Sequence, residues 1–343
     1  MYARNSAGAV AVDWVPGVRA LLGGSIAAAP TVSVLIERMF PGDRYPGREV
    51  GRGVHGLVFV GNTPLGSLAV KVVRRAGPFR RTDGPAGSDP RVEPDWRSAV
   101  TCHTDPTELV AMRTAMRELV ATGRCHNVVQ FVAAIDLDGD DGRPCRAYVL
   151  SAADGDLEAW LCAAARSLRE VRACIRQVLY AVCQMSKSGL LHNDLYGKNI
   201  LFEQTEAAFV SYEGMIGDRK LTLRTEGFFF SVCDYGLATT TDEEHARLSA
   251  ECFPENRFHA QSLAAMPTAR HVLDVDGLSP WARDTLAFLV SLRRALPRCA
   301  LVRALLAGLD RRNATGTMDL AGLESYVLWA METVDAEADD ADL

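Results

Sequence analysis

The chain has 343 residues, of which 48% are hydrophobic and 23% are charged, and its formal net charge is -6. This composition suits one large domain or two lobes, and it excludes a wholly disordered, fibrous or collagen-like chain. The acidic balance predicts no nucleic-acid partner, and no apolar stretch is long enough to predict a membrane span. The nine cysteines are scattered without a CxxC pair, so we expect no zinc site, no disulfide framework and an intracellular location.

The first part of the chain is rich in predicted strands. Residues 1–46 form an N-terminal extension whose structure the pattern does not indicate, and the alternating residues 48–74 predict a hairpin followed by a strand. Residues 76–104 contain four Pro and three Gly without periodicity, which predicts a long surface loop. A helix is then predicted over 105–121, with Asp105 as its N-cap.

The second part is mainly helical. Asp156 is expected to cap a short helix, and apolar residues that recur every three or four positions predict a longer helix over 167–188. Further helices are predicted over Trp281–Leu296 and Leu301–Leu306, and the acidic tail 331–343 is expected to be disordered. Additional strands are expected within four segments: 127–135, 146–151, 190–202 and 227–233. Strands followed by helices, without regular βαβ alternation, predict an α+β fold with two lobes.

Glycines and a lysine in the first part have the pattern of a phosphate-binding site. Gly51, Gly53 and Gly56 form Gly-x-Gly-x-x-Gly-x-Val, which ends at Val58 inside the predicted hairpin. Glycines without a Cβ let backbone N–H groups approach phosphates closely. A strand follows these glycines, whereas a dinucleotide-binding site needs a helix there. Lys71 lies among apolar residues on the next strand, where an ammonium group needs anionic partners such as a phosphate and a carboxylate.

Three polar residues in the second part have the spacing of a catalytic and metal-binding loop. Asp194, in His192-Asn193-Asp194, is followed five positions later by Asn199, and Asp234-Tyr235-Gly236 comes after an apolar strand. A carboxylate such as Asp194 can accept or orient a hydroxyl group. The oxygens of Asn199 and Asp234 suit a hard cation such as Mg²⁺.

The joint order of these motifs, each in the element it requires, resembles the protein kinase family over about residues 48–300. The resemblance implies a bilobal protein-kinase-like fold with a small antiparallel-sheet N-lobe (47–151) and a mainly helical C-lobe (152–330). It also implies ATP and Mg²⁺ as cofactors and a protein substrate. The Asp-Tyr-Gly form is similar to that of vaccinia-related kinases, and the inserts and acidic tail resemble kinases of large DNA viruses. A viral kinase would act in the host cytoplasm or nucleus.

Family roles carry over position by position. Asp194 would orient the acceptor hydroxyl, Asn199 and Asp234 would ligate two Mg²⁺ ions, and Lys71 would hold the α- and β-phosphates. An adenine-binding hinge would lie near 149–153, with Val149 as gatekeeper. The residues implied to contact the nucleotide are Gly51, Gly53, Gly56, Val58, Lys71, Val149 and Ala152.

The carboxylate that pairs with Lys71 is open between Glu108 and Glu118, which are ten residues apart and share a helix face. Glu118 has the more usual spacing to the next strand. We favour Glu108 because Thr107-Glu108-Leu109 opens the amphipathic stretch.

Several positions depart from the family pattern. Asn193 replaces the usual arginine, so we expect activity without phosphorylation of the activation loop. Tyr196 replaces a common lysine, and Lys198, two residues later, could reach the γ-phosphate instead. The 40 residues from Asp194 to Asp234 are about twice the usual number, which predicts an inserted hairpin or loop over 203–226. Asp284 is expected to be a buried structural aspartate.

Three functions are compatible with these residues. A protein kinase, with Ser/Thr favoured over Tyr as acceptor, is supported because Lys71, Asp194, Asn199 and Asp234 are all retained. A pseudokinase that acts as a binding scaffold would normally lack one of them. A small-molecule kinase shares the His-x-Asp-x-x-x-x-Asn arrangement, but the complete glycine pattern favours the protein kinase.

Overall fold

The computed structural model describes residues 31–41, 49–53, 56–64, 66–74, 108–240 and 279–336. These residues fall into two compact units. The first contains the described residues up to Leu109 together with Gln130–Ala152, and the second contains Val110–Val129 and the described residues from Ala153 onward. Within the described ranges, the chain has no helix with the length and apolar character needed to cross a membrane. The architecture is mixed α+β with small antiparallel sheets, as the order of elements predicts.

An antiparallel five-stranded sheet in the order β1-β2-β3-β5-β4 forms the centre of the first unit. Its strands are β1 (Glu49–Gly53), β2 (Gly56–Thr63), β3 (Gly66–Arg74), β4 (Phe131–Asp138) and β5 (Pro144–Ser151). The hairpin and strand predicted over 48–74 are confirmed. The strand predicted over 146–151 is also present and begins two residues earlier.

Helix α1 (Val32–Met39) packs against one face of this sheet. Leu35 and Met39 are fully buried in the same core as Val70 of β3. The N-terminus of α1 is held to the β4–β5 turn, where the backbone N–H of Ser33 donates to Asp140. Part of the predicted N-terminal extension is therefore an integral layer of the first unit, because its helical apolar stripe completes the core.

The helix predicted over 105–121 is present in its described part. Helix α2 covers residues 108–115 and continues as a π-helical turn, Met116–Val120. The predicted N-cap Asp105 and the loop 76–104 lie outside the described residues.

The second unit is built mainly from helices. Its longest described helix is α4 (Leu168–Lys187). The N-terminus of α4 carries a capping box, in which the side chains of Ser167 and Glu170 each accept from the other's backbone N–H group. Asp156 caps the short helix before it, as predicted, by accepting from the backbone N–H of Ala159. The helices are α3 (Leu157–Ala163), α4 (Leu168–Lys187), α5 (Pro280–Ala295), α6 (Ala300–Ala314) and α7 (Leu320–Ala336).

Small antiparallel sheets accompany these helices, in the orders β11-β8-β6, β10-β9 and β12-β7. The predicted insert over 203–226 contains the hairpin β9–β10. The strands are β6 (Gly155–Asp156), β7 (Leu190–Leu191), β8 (Ile200–Gln204), β9 (Phe209–Ile216), β10 (Arg219–Arg224), β11 (Phe228–Val232) and β12 (Thr239–Thr240).

Two sequence predictions need correction. The strand predicted over 127–135 begins at Phe131, because Asn127 and Val129 exchange backbone hydrogen bonds with Val232 of β11 and so belong to the second unit. The tail predicted to be disordered from residue 331 is helical as far as Ala336. Within it, Met331 and Val334 are buried and extend the apolar stripe of α7.

Candidate active site

Lys71 on β3 forms a buried ion pair with Glu108. Its Nζ lies 2.6 Å from Oε1 of Glu108, and the two residues are only 8% and 2% exposed. Glu118 instead lies beside Arg117 in an exposed pair, with 2.7 Å between nitrogen and oxygen. The structure therefore has the favoured pairing, in which the first described residue of α2 compensates the buried ammonium group.

The sheet places Val58 and Lys71 on one face. Val58 of β2 lies directly opposite Lys71 of β3, and Gly51 of β1 lies opposite Val58. Directly paired residues of antiparallel strands project to the same face, so the two side chains are neighbours. Both were predicted to contact the nucleotide, and the strand register is consistent with that prediction.

Val149 does not share that face. It lies opposite Val70, and its fully buried side chain belongs to the core that packs against α1. Leu150 lies opposite Ala69, two residues before Lys71, and therefore projects to the Lys71 face. Val149, the predicted gatekeeper, therefore does not project to the Lys71 face, because a shift of one residue along a strand reverses the face.

The other predicted nucleotide-contacting residues have clear structural surroundings. Gly56 has φ +144°, and a Cβ added there would lie 2.1 Å from the carbonyl oxygen of Val72. Close packing of two strands thus accounts for this glycine. Gly53 is its partner across β1 and β2. Ala152 follows β5 and donates its backbone N–H to the carbonyl of Ser67 at 3.2 Å.

In the second unit, the loop after β7 is anchored by Asp284 of α5. The carboxylate of Asp284 accepts from the backbone N–H groups of His192 and Asn193, at 2.8 and 2.7 Å. Burial raises the pKa of Asp284, although these hydrogen bonds act in the opposite direction. The predicted structural role of Asp284 is confirmed. The loop is also bonded from its other side, since a ring nitrogen of His192 lies 2.8 Å from the carbonyl oxygen of Cys233.

Asp194 and Asn199 are joined directly within this loop. The Nδ2 of Asn199 donates to the backbone carbonyl of Asp194 at 2.8 Å and to its Oδ2 at 3.1 Å. Burial and the negative charge of Asp234 raise the pKa of Asp194 to about 7, against the opposing effect of the Asn199 hydrogen bond. The structure thus brings together the three predicted polar residues in one electrostatically coupled group.

Asp234 follows β11 in an uncommon backbone conformation, with φ 61°. Non-glycine residues with positive φ are sparse, and such strain collects at functional sites. Strand β11 is held by Gln177 of α4, whose amide accepts from the backbone N–H of Phe230 and donates to the carbonyl of Phe228, both at 3.0 Å. In the sequence, Gln177 is marked only as a glutamine within an apolar helical stripe, which does not predict this role.

The donor set in this group suits a hard cation. The charge of Asp234 raises the proton affinity of Asp194, so these two carboxylates interact electrostatically. No hydrogen bond within the described part of the chain reaches Oδ1 of Asn199, so an amide oxygen is available beside them. In the described ranges, no three His, Cys, Asp or Glu side chains are grouped so that they could hold a metal ion by themselves. Mg²⁺ commonly needs only one or two protein carboxylates because water and phosphate oxygens complete its shell.

The remaining departures from the family pattern lie on the same loop. Lys198 is exposed on the 3₁₀ turn Gly197–Asn199, whose Gly197 N–H donates to Ser291 of α5 at 3.1 Å. Burial and the charge of Asp194 raise the pKa of Tyr196 to about 12, so its hydroxyl remains protonated at neutral pH.

No protein-family model matches the sequence, and no curated protein is significantly similar to it. Inference about function therefore depends on the chain's own residues and their geometry.

Proposed function

We propose that this chain is an ATP-dependent protein kinase that transfers the γ-phosphoryl group, with Mg²⁺, to a Ser or Thr hydroxyl of a protein substrate. The two units would correspond to the small and large lobes of a protein-kinase-like fold, although Val110–Val129, predicted to lie in the small lobe, belongs to the second unit. The first unit contains the five-stranded antiparallel sheet, and the second contains most of the described helices.

The observation that carries the proposal is the group formed by Asp194, Asn199 and Asp234. A loop anchored on Asp284 holds Asp194 and Asn199 in hydrogen-bonded contact, and the strained Asp234 couples electrostatically to Asp194. Phosphoryl transfer needs few covalent steps from the protein, and depends on positioned carboxylates and cations. This arrangement provides both a hydroxyl-directed carboxylate and oxygen ligands for a cation.

The buried Lys71–Glu108 pair supports the same function. Lys71 lies on a strand, and its ammonium group is held in position by the Glu108 carboxylate. A fixed ammonium group of this kind suits binding of the α- and β-phosphates. When bound, Mg²⁺ would neutralise negative charge on the phosphates. Asp194 would accept the hydrogen bond of the acceptor hydroxyl in its ionised form, and Asn199 and Asp234 would hold the cation.

The test is transfer of radiolabelled phosphate from ATP to a generic protein, followed by acid hydrolysis to identify the modified amino acid. We expect phosphoserine or phosphothreonine. Lys71→Met should abolish transfer while the protein remains folded, and Asp234→Asn should weaken the response to Mg²⁺. Wild-type rates in Lys71→Met, or an unchanged Mg²⁺ requirement in Asp234→Asn, would contradict the assigned roles.

Two alternatives give different results in the same experiments. A pseudokinase scaffold would show a thermal shift with MgATP but no transfer to any acceptor. A small-molecule kinase would consume ATP only with a low-molecular-weight acceptor and would leave protein unlabelled. The protein kinase is favoured because Lys71, Asp194, Asn199 and Asp234 are all present and the complete glycine pattern precedes them.

A further inference from the structure

The side chain of Asn193 connects the loop that carries Asp194 to the segment that follows Asp234. Its Nδ2 donates to the carbonyl oxygen of Leu237 and to Oγ1 of Thr239, with each distance 3.1 Å. Asn193 is only 7% exposed. This buried amide thus has two acceptors that lie 44 and 46 positions further along the chain, besides a longer contact of 3.4 Å with the carbonyl oxygen of Leu191.

The backbone of Asn193 is fixed in the orientation that these contacts need. Its φ is 64°, a left-handed conformation that asparagine tolerates better than most residues, and its N–H donates to Asp284 at 2.7 Å. The same segment is joined a second time where Thr239 of β12 pairs with Leu191 of β7. Asn193 is therefore held by its backbone on one side while its amide holds the segment on the other.

We infer that Asn193 is a positioning residue whose neutral amide holds residues 237–239 against the loop and thereby fixes Asp234. An amide donates to oxygen acceptors with no charge to balance, so these contacts form in the unmodified chain. A cationic side chain at this position would need an anion to compensate it when buried. Any effect of Asn193 on Mg²⁺ binding, through the position of Asp234, rests on the proposed function. The contact of Asn193 with residues 237 and 239 does not depend on it.

Two variants of Asn193 test the inference in phosphatase-treated protein. Asn193→Asp keeps the size of the side chain but replaces the N–H donor with a carboxylate that faces the acceptor-only carbonyl oxygen of Leu237. Asn193→Gly removes the amide and relaxes the positive φ. In both, we expect amide hydrogen exchange at Ala238, Thr239 and Thr240 to accelerate about tenfold or more, as the hydrogen bond to the Leu237 carbonyl is lost. We also expect a higher Mg²⁺ concentration for half-maximal ATP binding.

The matched control is Glu226→Gly, which relaxes another positive φ, 48°, in the turn before β11. It should leave both measurements unchanged. Unaltered amide hydrogen exchange at residues 238–240 in both Asn193 variants would show that Asn193 does not hold this segment, whatever the transfer activity. Faster exchange with unaltered Mg²⁺ dependence, or a wild-type chain that binds no Mg²⁺, would overturn the positioning of Asp234. Failure of the wild type to transfer phosphate would refute the proposed function and leave the exchange data to decide on Asn193.

Discussion

Nζ of Lys71 and Oε1 of Glu108 lie 2.6 Å apart, with both side chains almost wholly withdrawn from water. A buried charge that loses its partner is costly, so Glu108→Ala should lower the free energy of unfolding by about 3 kcal/mol. The same change should abolish phosphoryl transfer, because Lys71 loses its fixed position. Urea unfolding and the radiolabel assay measure the two effects.

Glu118→Ala is the matched control on the same helix. Its carboxylate pairs with an exposed arginine, Arg117, so the free energy of unfolding should change by about 0.5 kcal/mol or less. Equal losses in the two variants would contradict the assignment of Glu108 as the partner of Lys71.

Val149 and Leu150 are neighbours in sequence but project to opposite faces of the sheet, which gives a second prediction. Val149→Ala removes buried methyl groups from the core, so it should cost about 2 kcal/mol of stability with an unchanged KM for ATP. Leu150→Phe enlarges the Lys71 face and should raise the KM for ATP about tenfold or more at nearly unchanged stability. A reversed pattern, with ATP binding sensitive only to residue 149, would contradict a nucleotide site on the Lys71 face.

Asp194 gives a prediction of pH dependence. Burial and the charge of Asp234 raise its pKa to about 7 in the folded chain, whereas an exposed aspartate titrates near pH ~4. Between these values the folded chain keeps a proton that the unfolded chain has released. The free energy of unfolding therefore falls as the pH rises from about 4 to about 7, and this loss persists above pH ~7.

Asp194→Asn removes that unfavourable ionisation. Without Mg²⁺ and nucleotide, it should raise the free energy of unfolding by about 1–2 kcal/mol at pH ~8 and leave it unchanged at pH ~4. Phosphoryl transfer should be lost at every pH. Asp218→Asn, on the exposed turn of the β9–β10 hairpin, serves as control and should show neither effect. Destabilisation by Asp194→Asn at pH ~8 would contradict the raised pKa.

Helix α1 gives the fourth prediction, because Leu35 is fully buried between this helix and the sheet. Leu35→Ala should cost about 3 kcal/mol of stability, as expected for a leucine removed from a packed core. Glu37→Ala, at an exposed position of the same helix, should be nearly neutral. If thermal unfolding were the same in both variants, α1 would be a dispensable extension.

Local sequence patterns predicted several features of the fold and of the candidate site. Asp156 is a predictable helix cap because its short side chain reaches the N–H of Ala159, three residues away. Lys71, Asp194, Asn199 and Asp234 could be singled out because each needs only its residue type and its place beside a strand or in a loop. Such features depend on a few adjacent residues, so the linear sequence contains all the information that specifies them.

Contacts between distant residues were decided only by the tertiary structure. The pairing of Lys71 with Glu108 instead of Glu118 depends on which carboxylate lies beside β3 in the folded chain. The projection of Leu150, instead of Val149, to the Lys71 face depends on the register of β5 against β3. The contact of Asn193 with Thr239 joins residues 46 positions apart. In each case, the local sequence gives the competing residues nearly equal preference for the same secondary structure. The packing of elements far apart in sequence selects between them, because it determines which side chains are buried together.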